Sequence, residues 1–184
     1  LLESLHPAAR AALEAGADVV ALEAPDDPVD DATLAEVEAI VTRGRGQVTD
    51  ALLSRCPSLK VVTRAGVGLD NVDRDAAAAR GVAVVHVPNA LTETVSEHAL
   101  ALALAARREI VSSARSAREG RWGDRDHFSG EALAGSRVTV VGLGAIGERT
   151  RSLMVALGAK VTAWSRSPRA VDGFETDLDR ALTG

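Results

Sequence analysis

Short apolar runs alternate with Ala-rich stretches of helical period along the first half of the chain, the pattern of parallel strands joined by crossover helices. "HPAARAALEAG" reads as a helix with Pro7 in its first turn and Gly16 as its stop, and "DVVAL" reads as the strand that follows. After the acidic turn "APDDPVDD" come a short helix around Leu34 to Glu38, the strand "AIVT", the helix "TDALLSRC", the strand "LKVVT", the helix "DRDAAAAR" and the strand "VAVVH". This order predicts four strands by Val85, with Leu1 and Leu2 as the stub of a fifth. Beyond Pro88, apolar residues recur at three- and four-residue spacing (Leu91, Val95, Ala99, Leu102, Ala106, Ile110), which predicts one long helix with a single buried stripe. Periodicity fades from Ser112 to Gly130, where charges crowd "REGRWGDRDHFSG", and a surface loop with a domain junction is expected there.

The last part is sharper. "RVTVV" reads as a strand, "GLGAIG" as a turn, Ala145 to about Leu157 as a helix stopped by Gly158, and "KVTAW" as the next strand, giving a β-α-β unit. Ile146, Leu153, Met154 and Leu157 supply that helix with an apolar face for a sheet.

Composition narrows the class. The 184 residues, 46% hydrophobic and 26% charged, suit one ordinary core or two small ones, and no apolar run approaches the roughly 20 residues of a membrane helix. A net charge of -5, with two Trp, two Phe and no Tyr, argues against nucleic acid as a partner. Cys56 stands alone, so neither an internal disulfide nor a metal site is expected, and a reduced, cytoplasmic setting with Cys56 in a packing role follows. No signal peptide is recognisable, and an opening on "LLESLHPAAR" without Met hints at a trimmed N-terminus.

Gly142, Gly144 and Gly147 form a G-x-G-x-x-G between a strand and a helix, the context that makes this motif a dinucleotide turn. The first glycine permits the tight turn, the second lets backbone approach a pyrophosphate, and the third allows close helix–strand contact. Free N–H groups at the helix start, through Ala145 and Ile146, then attract the anion. An acidic residue about 20 positions on would accept the adenosine ribose hydroxyls of NAD, but Ser165, Arg166 and Ser167 stand there. A carboxylate would repel a 2′-phosphate, whereas Ser and Arg can hydrogen-bond and pair with it, so "SRS" favours NADP over NAD. The alternative is that Arg166 is a solvated arginine after a strand. Thr94 and Glu97 in "TVSE" also read as a capping box for the long helix.

Three stretches, "TRAGVGLDNVD", "VPNALTETVSEHALALALAARR" and "VTVVGLGAIG", together resemble the D-isomer-specific 2-hydroxyacid dehydrogenase family, over nearly the whole chain. The resemblance implies a flavodoxin-like, parallel-sheet substrate domain at residues 1–88, a linking helix and junction at 89–130, and the first part of a Rossmann dinucleotide-binding domain at 131–184. It implies that Gly66, Val67 and Gly68 present N–H groups to a substrate carboxylate, which a glycine-rich turn after a strand is able to do. It further implies that Arg43, with Arg45, faces that anion, and that Thr94 lies near the nicotinamide. The partner would be a small 2-keto or 2-hydroxy acid, 3-phosphoglycerate and glyoxylate/hydroxypyruvate being the two choices, and the long helix would serve a homodimer or an intramolecular contact. His98 reads as a helix-surface or interface residue, and His6, His86 and His127 suggest no metal site.

The family's catalytic Arg, Glu and His lie well beyond the glycine motif, and "DGFETDLDRALTG" resembles none of their surroundings. The expectation is therefore a chain with no catalytic residue to assign and no activity alone. Two apolar strands in the second domain leave sheet edges open, which fits part of a longer enzyme, completion by another chain, or a relic that binds without catalysis. The rival class is a non-catalytic dinucleotide-binding interaction or sensing module.

Overall fold

Four helices and three strands build the chain as far as Ala90: α1 (Pro7–Glu14), α2 (Asp31–Glu36), β1 (Ala39–Thr42), α3 (Asp50–Ser54), β2 (Val61–Arg64), α4 (Arg74–Ala79) and β3 (Ala83–His86). The computed structural model describes residues 1–183, which divide into two units, Leu1–Ala90 and Leu91 onward. Side-chain caps set the starts of the short helices: Asp30 accepts from Thr33 N–H, Thr49 from Leu52 N–H and Asp73 from Ala76 N–H. The three strands are parallel in the order β1-β2-β3, with Ile40, Val62 and Val84 in one register row and Thr42, Arg64 and His86 in the row two residues on. Ile40 and Val62 join Leu34, Val48, Leu53, Leu59, Val72 and Val82 in the core, and Cys56 packs among them.

"DVVAL" forms no strand, and Val20 is exposed. Among the described residues, backbone bonds reach this segment only through the chain start: Leu1 N–H and carbonyl pair with Val20 and Leu22, and Leu2 N–H donates to Val41 O. Two residues are too short a rung to hold a ladder, so the sheet has three strands rather than four.

The second unit contains α5 (Thr92–Arg107), α6 (Ile110–Arg118), a 3-10 helix (Trp122–His127), β4 (Arg137–Val141), α7 (Ala145–Ala156), β5 (Lys160–Trp164) and α8 (Leu178–Thr183). The parallel pair β4–β5 and the helix between them form the expected β-α-β unit, and Thr139 Oγ1 donates to Ala181 O to seat α8. The stretch 89–130, expected as link and junction, falls almost wholly within this unit, where α5 packs against α7.

Two expectations need correcting. The single helix Leu91–Ile110 is broken at Glu109, whose φ of 51° is left-handed, and helix resumes through Ser112 to Arg118 where a loop was expected. The apolar stripe is the outer face: Leu91, Val95, Leu102 and Ile110 are exposed, while Leu100, Ala103 and Leu104 pack with Val161 on the cluster of Leu133 and Met154, and Ser96 is buried. Small residues permit close helix approach, so period alone does not choose between two candidate faces. Among the described residues no helix is long and apolar enough to cross a membrane.

Candidate functional site

In the second unit, β4 runs straight into the glycine turn. Gly142 has φ 102°, a conformation that favours glycine, and its N–H donates to Trp164 O at 2.7 Å, tying the turn to the end of β5. A Cβ at Gly147 would overlap the Gly142 carbonyl oxygen, so only glycine lets α7 start this close to the strand. A Cβ at Gly144 meets nothing within 4 Å, which leaves space over the turn. Gly144 caps α7 with no side-chain bond, and the first-turn N–H groups of Ala145, Ile146 and Gly147 lack intrahelical acceptors and form an anion-attracting end.

Ser165, Arg166 and Ser167 follow β5 and line one open recess with Gly142, Leu143 and Gly144. Arg169 lines it too, a residue that the sequence reading passed over although its spacing from Arg166 carries it to the same rim. Among the described residues neither arginine has a carboxylate partner, and both are exposed. The Ser165 hydroxyl donates to Ser167 O at 2.6 Å, which folds the "SRS" segment back on itself.

Thr94 does not cap. Helix α5 starts two residues earlier, at Thr92, so Thr94 is its third residue and its hydroxyl lies 3.3 Å from Leu91 O, with no side-chain bond to an N-terminal N–H. It is exposed and absent from the recess lining. Ser96, fully buried, donates to Ile146 O at 3.1 Å and so fixes the first turn of α7, a contact fifty residues apart that no local pattern announces.

In the first unit the polar row Thr42, Arg64 and His86 sits at the C-terminal ends of three parallel strands, the edge where open α/β sheets bind ligands. The turn after β1 is organised by Glu3. Its Oε1 accepts N–H bonds of 2.7 to 2.9 Å from Arg43, Gly44, Arg45 and Gly46 and lies 3.0 Å from Thr42 Oγ1. Burial by itself would raise this carboxyl's pKa, but the backbone donors outweigh it and hold it down to about 2. Asn71 Nδ2 closes the turn on Gly46 O at 2.7 Å.

Gly66, Val67 and Gly68 follow β2. Gly66 N–H donates to Arg64 O, whereas the N–H groups of Val67 and Gly68 have no acceptor among the described residues. The Arg64 guanidinium lies against Gly66 where a Cβ would overlap Nη1, its Nη2 is 3.5 Å from the Cβ position of Gly44, and its buried Nε has no partner among the described residues. Arg64 therefore spans the two turns, a placement that sequence reading missed and that the polar last residue of the run "VVTR" signals. Arg43 turns aside, its Nη1 3.4 Å from Ser4 O, and exposed Arg45 faces Glu3 Oε2 at 3.8 Å. His98 is exposed, His6 caps α1 through Nδ1, and no group of potential metal ligands occurs among the described residues.

These features agree with the comparisons. The family model described as D-isomer specific 2-hydroxyacid dehydrogenase, catalytic domain, matches residues 1–172. A D-3-phosphoglycerate dehydrogenase of Mycobacterium tuberculosis is 43% identical over 164 residues, 89% of this chain and 31% of that protein. A hydroxypyruvate reductase of Thermotoga maritima is 33% identical over 74% of this chain and 44% of its own length. Among solved structures, a dehydrogenase from Rhizobium meliloti aligns with a TM-score of 0.81 at 32% identity, over 98% of this chain and 64% of its own. A D-lactate dehydrogenase from Aquifex aeolicus, complexed with NAD and lactic acid, aligns at 0.77 and 27%, over 85% and 48%. The chain thus spans from about a quarter to under a half of the length of the curated relatives it matches. With a parallel-sheet unit followed by a dinucleotide-type β-α-β turn, the chain belongs to the D-isomer specific 2-hydroxyacid dehydrogenase family.

Proposed function

We propose that this chain supplies the substrate-binding unit and the opening of the cofactor-binding unit of an enzyme that reduces a 2-keto acid, with NADPH favoured over NADH. The observation that carries the cofactor preference is the shared rim of Ser165, Arg166, Ser167 and Arg169 beside the glycine turn, with no carboxylate opposite either arginine among the described residues. The turn fits a pyrophosphate: space is open over Gly144, and the N–H groups of Ala145, Ile146 and Gly147 end there. A bound nicotinamide supplies the hydride. Two guanidinium groups neutralise a 2′-phosphate that an acidic residue would repel.

The loop Gly66–Val67–Gly68 receives the substrate carboxylate on its two free N–H groups, with Arg64 alongside and Arg43 and Arg45 on the neighbouring turn. Arg64 against the loop supports an acid with a second anionic group, such as 3-phosphoglycerate, over hydroxypyruvate, in line with the higher identity to the phosphoglycerate dehydrogenase. The exposed stripe Leu91, Val95, Leu102 and Ile110 supports a homodimer, and the buried, unpaired Cys56 accords with a reducing cytoplasm.

Calorimetric titration of the 184-residue chain with NADPH and NADH tests the preference. Arg166→Asp removes one phosphate pair and adds a repulsion, so NADPH binding should weaken roughly 100-fold while NADH changes little. Equal loss of both cofactors would sink the 2′-phosphate assignment.

A further inference from the structure

The end of β3 grips two consecutive carbonyls of the loop after β2. Val87 N–H donates to Gly66 O at 3.2 Å, and His86 Nδ1 lies 2.8 Å from Val67 O. A carbonyl only accepts, so His86 carries its proton on Nδ1. No peptide among the described residues is cis, and across a trans peptide the C=O and N–H point in opposite directions. The peptide that contributes the Gly66 carbonyl also contributes the Val67 N–H, and the one that contributes the Val67 carbonyl contributes the Gly68 N–H. With both carbonyls turned toward β3, both N–H groups turn away from it, and neither has an acceptor among the described residues.

The two donors are held differently. Val67 N–H is aimed by a backbone bond that any residue at position 87 except proline supplies. Gly68 N–H is aimed only by the His86 ring, and its peptide precedes a glycine, where backbone rotation is least restricted. Released from the ring, that peptide is free to turn its carbonyl oxygen outward, where an arriving carboxylate would be repelled.

We infer that His86 is a positioning residue for anion recognition: by holding the Val67 carbonyl through Nδ1–H it aims the Gly68 N–H, beside that of Val67, at the substrate carboxylate. This rests on the reading of the loop given under Proposed function. His86 itself touches no substrate in this role, and its side chain acts through one peptide group.

The test uses the 184-residue chain labelled with 15N, in three forms: unaltered, His86→Ala and His86→Asn. Imidazole 15N shifts of the unaltered chain should show the Nδ1-protonated tautomer. On titration with D-lactate, the amides of Val67 and Gly68 should both move. In His86→Ala the Gly68 response should vanish and the dissociation constant rise by about tenfold or more, the scale of one hydrogen bond to a charged group. His86→Asn carries an amide donor of similar reach and should restore binding to within about threefold of the unaltered chain, which a general loss of packing would not do. An Nε2-protonated ring, or a His86→Ala chain that binds as tightly with both amides moving, overturns the inference. If D-lactate moves neither amide of the unaltered chain, the carboxylate reading of the loop falls and takes the inference with it. That outcome is distinct from failure of the inference alone, in which the unaltered chain still responds. Should His86→Ala not fold, the tautomer and the Asn variant decide.

Discussion

The turn at 142–147 in the second unit takes its shape from glycines, whereas the turns at 43–46 and 66–68 in the first are shaped by side chains from elsewhere in the chain. Gly142 supplies a positive φ, Gly147 supplies the missing Cβ, and Gly144 caps α7 without a side chain. In the first unit Glu3 gathers four successive N–H groups from a distance of about forty residues, and His86 holds the loop after β2 from 19 residues away. The glycine-built turn is closely packed at Gly147 and open to a ligand at Gly144. A side-chain-built turn depends on each holder, and its donors are either occupied, as at 43–46, or aimed, as at 66–68.

The sharpest way to break this contrast is within the glycine turn itself. Gly147→Ala drives a Cβ into the Gly142 carbonyl and should cost about 3 kcal/mol in urea-unfolding stability of the second unit. Gly144→Val meets no atom within 4 Å of its Cβ, so stability should hold within about 1 kcal/mol while dinucleotide binding, followed by calorimetry, is lost. Equal damage from both would mean that the turn is not divided into a packing glycine and a ligand glycine.

Next in size is Glu3. Its carboxyl is held at about 2 in the folded chain against an ordinary value of 4.5, a depressed pKa. The stability it contributes is therefore fully present above about pH 4.5 and is lost as pH falls toward about 2. Glu3→Gln should remove on the order of 2 to 3 kcal/mol at pH 7 and should flatten the acid limb of the first unit's stability curve between those values. Urea midpoints at pH 7, 4 and 2.5 check both, and an unchanged acid slope in Glu3→Gln would refute the assignment.

The smallest effect is expected at Thr94. A capping threonine is worth about 1 kcal/mol, but Thr94 lies inside α5 with its hydroxyl directed to Leu91 O. Thr94→Ala should therefore change thermal stability by less than about 0.5 kcal/mol.

How far the fold was legible follows the same divide. The β-α-β unit was readable because its determinants are local: apolar strands, spaced glycines and a glycine stop at Gly158. The parallel core strands of the first unit were readable for the same reason, and the family stretches made the class plain. "DVVAL" failed because a strand needs a neighbour, and its neighbour here is two residues long. The long helix failed twice, since Glu109 in a left-handed turn has no sequence signature and its Ala-rich face and Leu-rich face are both candidates for burial. Arg64, His86 and Glu3 were overlooked as organisers of the site because their roles come from register between strands and from contacts across many residues. Arg169 was legible in principle, three positions beyond Arg166.

The Glu3 contact also has a meaning in polymer terms. It closes a stretch of about forty residues without a covalent bond, and the chain entropy of such a closure is roughly 3 kcal/mol, comparable to what the buried carboxylate returns. The first residues are thus a reversible staple whose key is a proton: acid acts on this part of the molecule as a reductant acts on a loop closed by cystine.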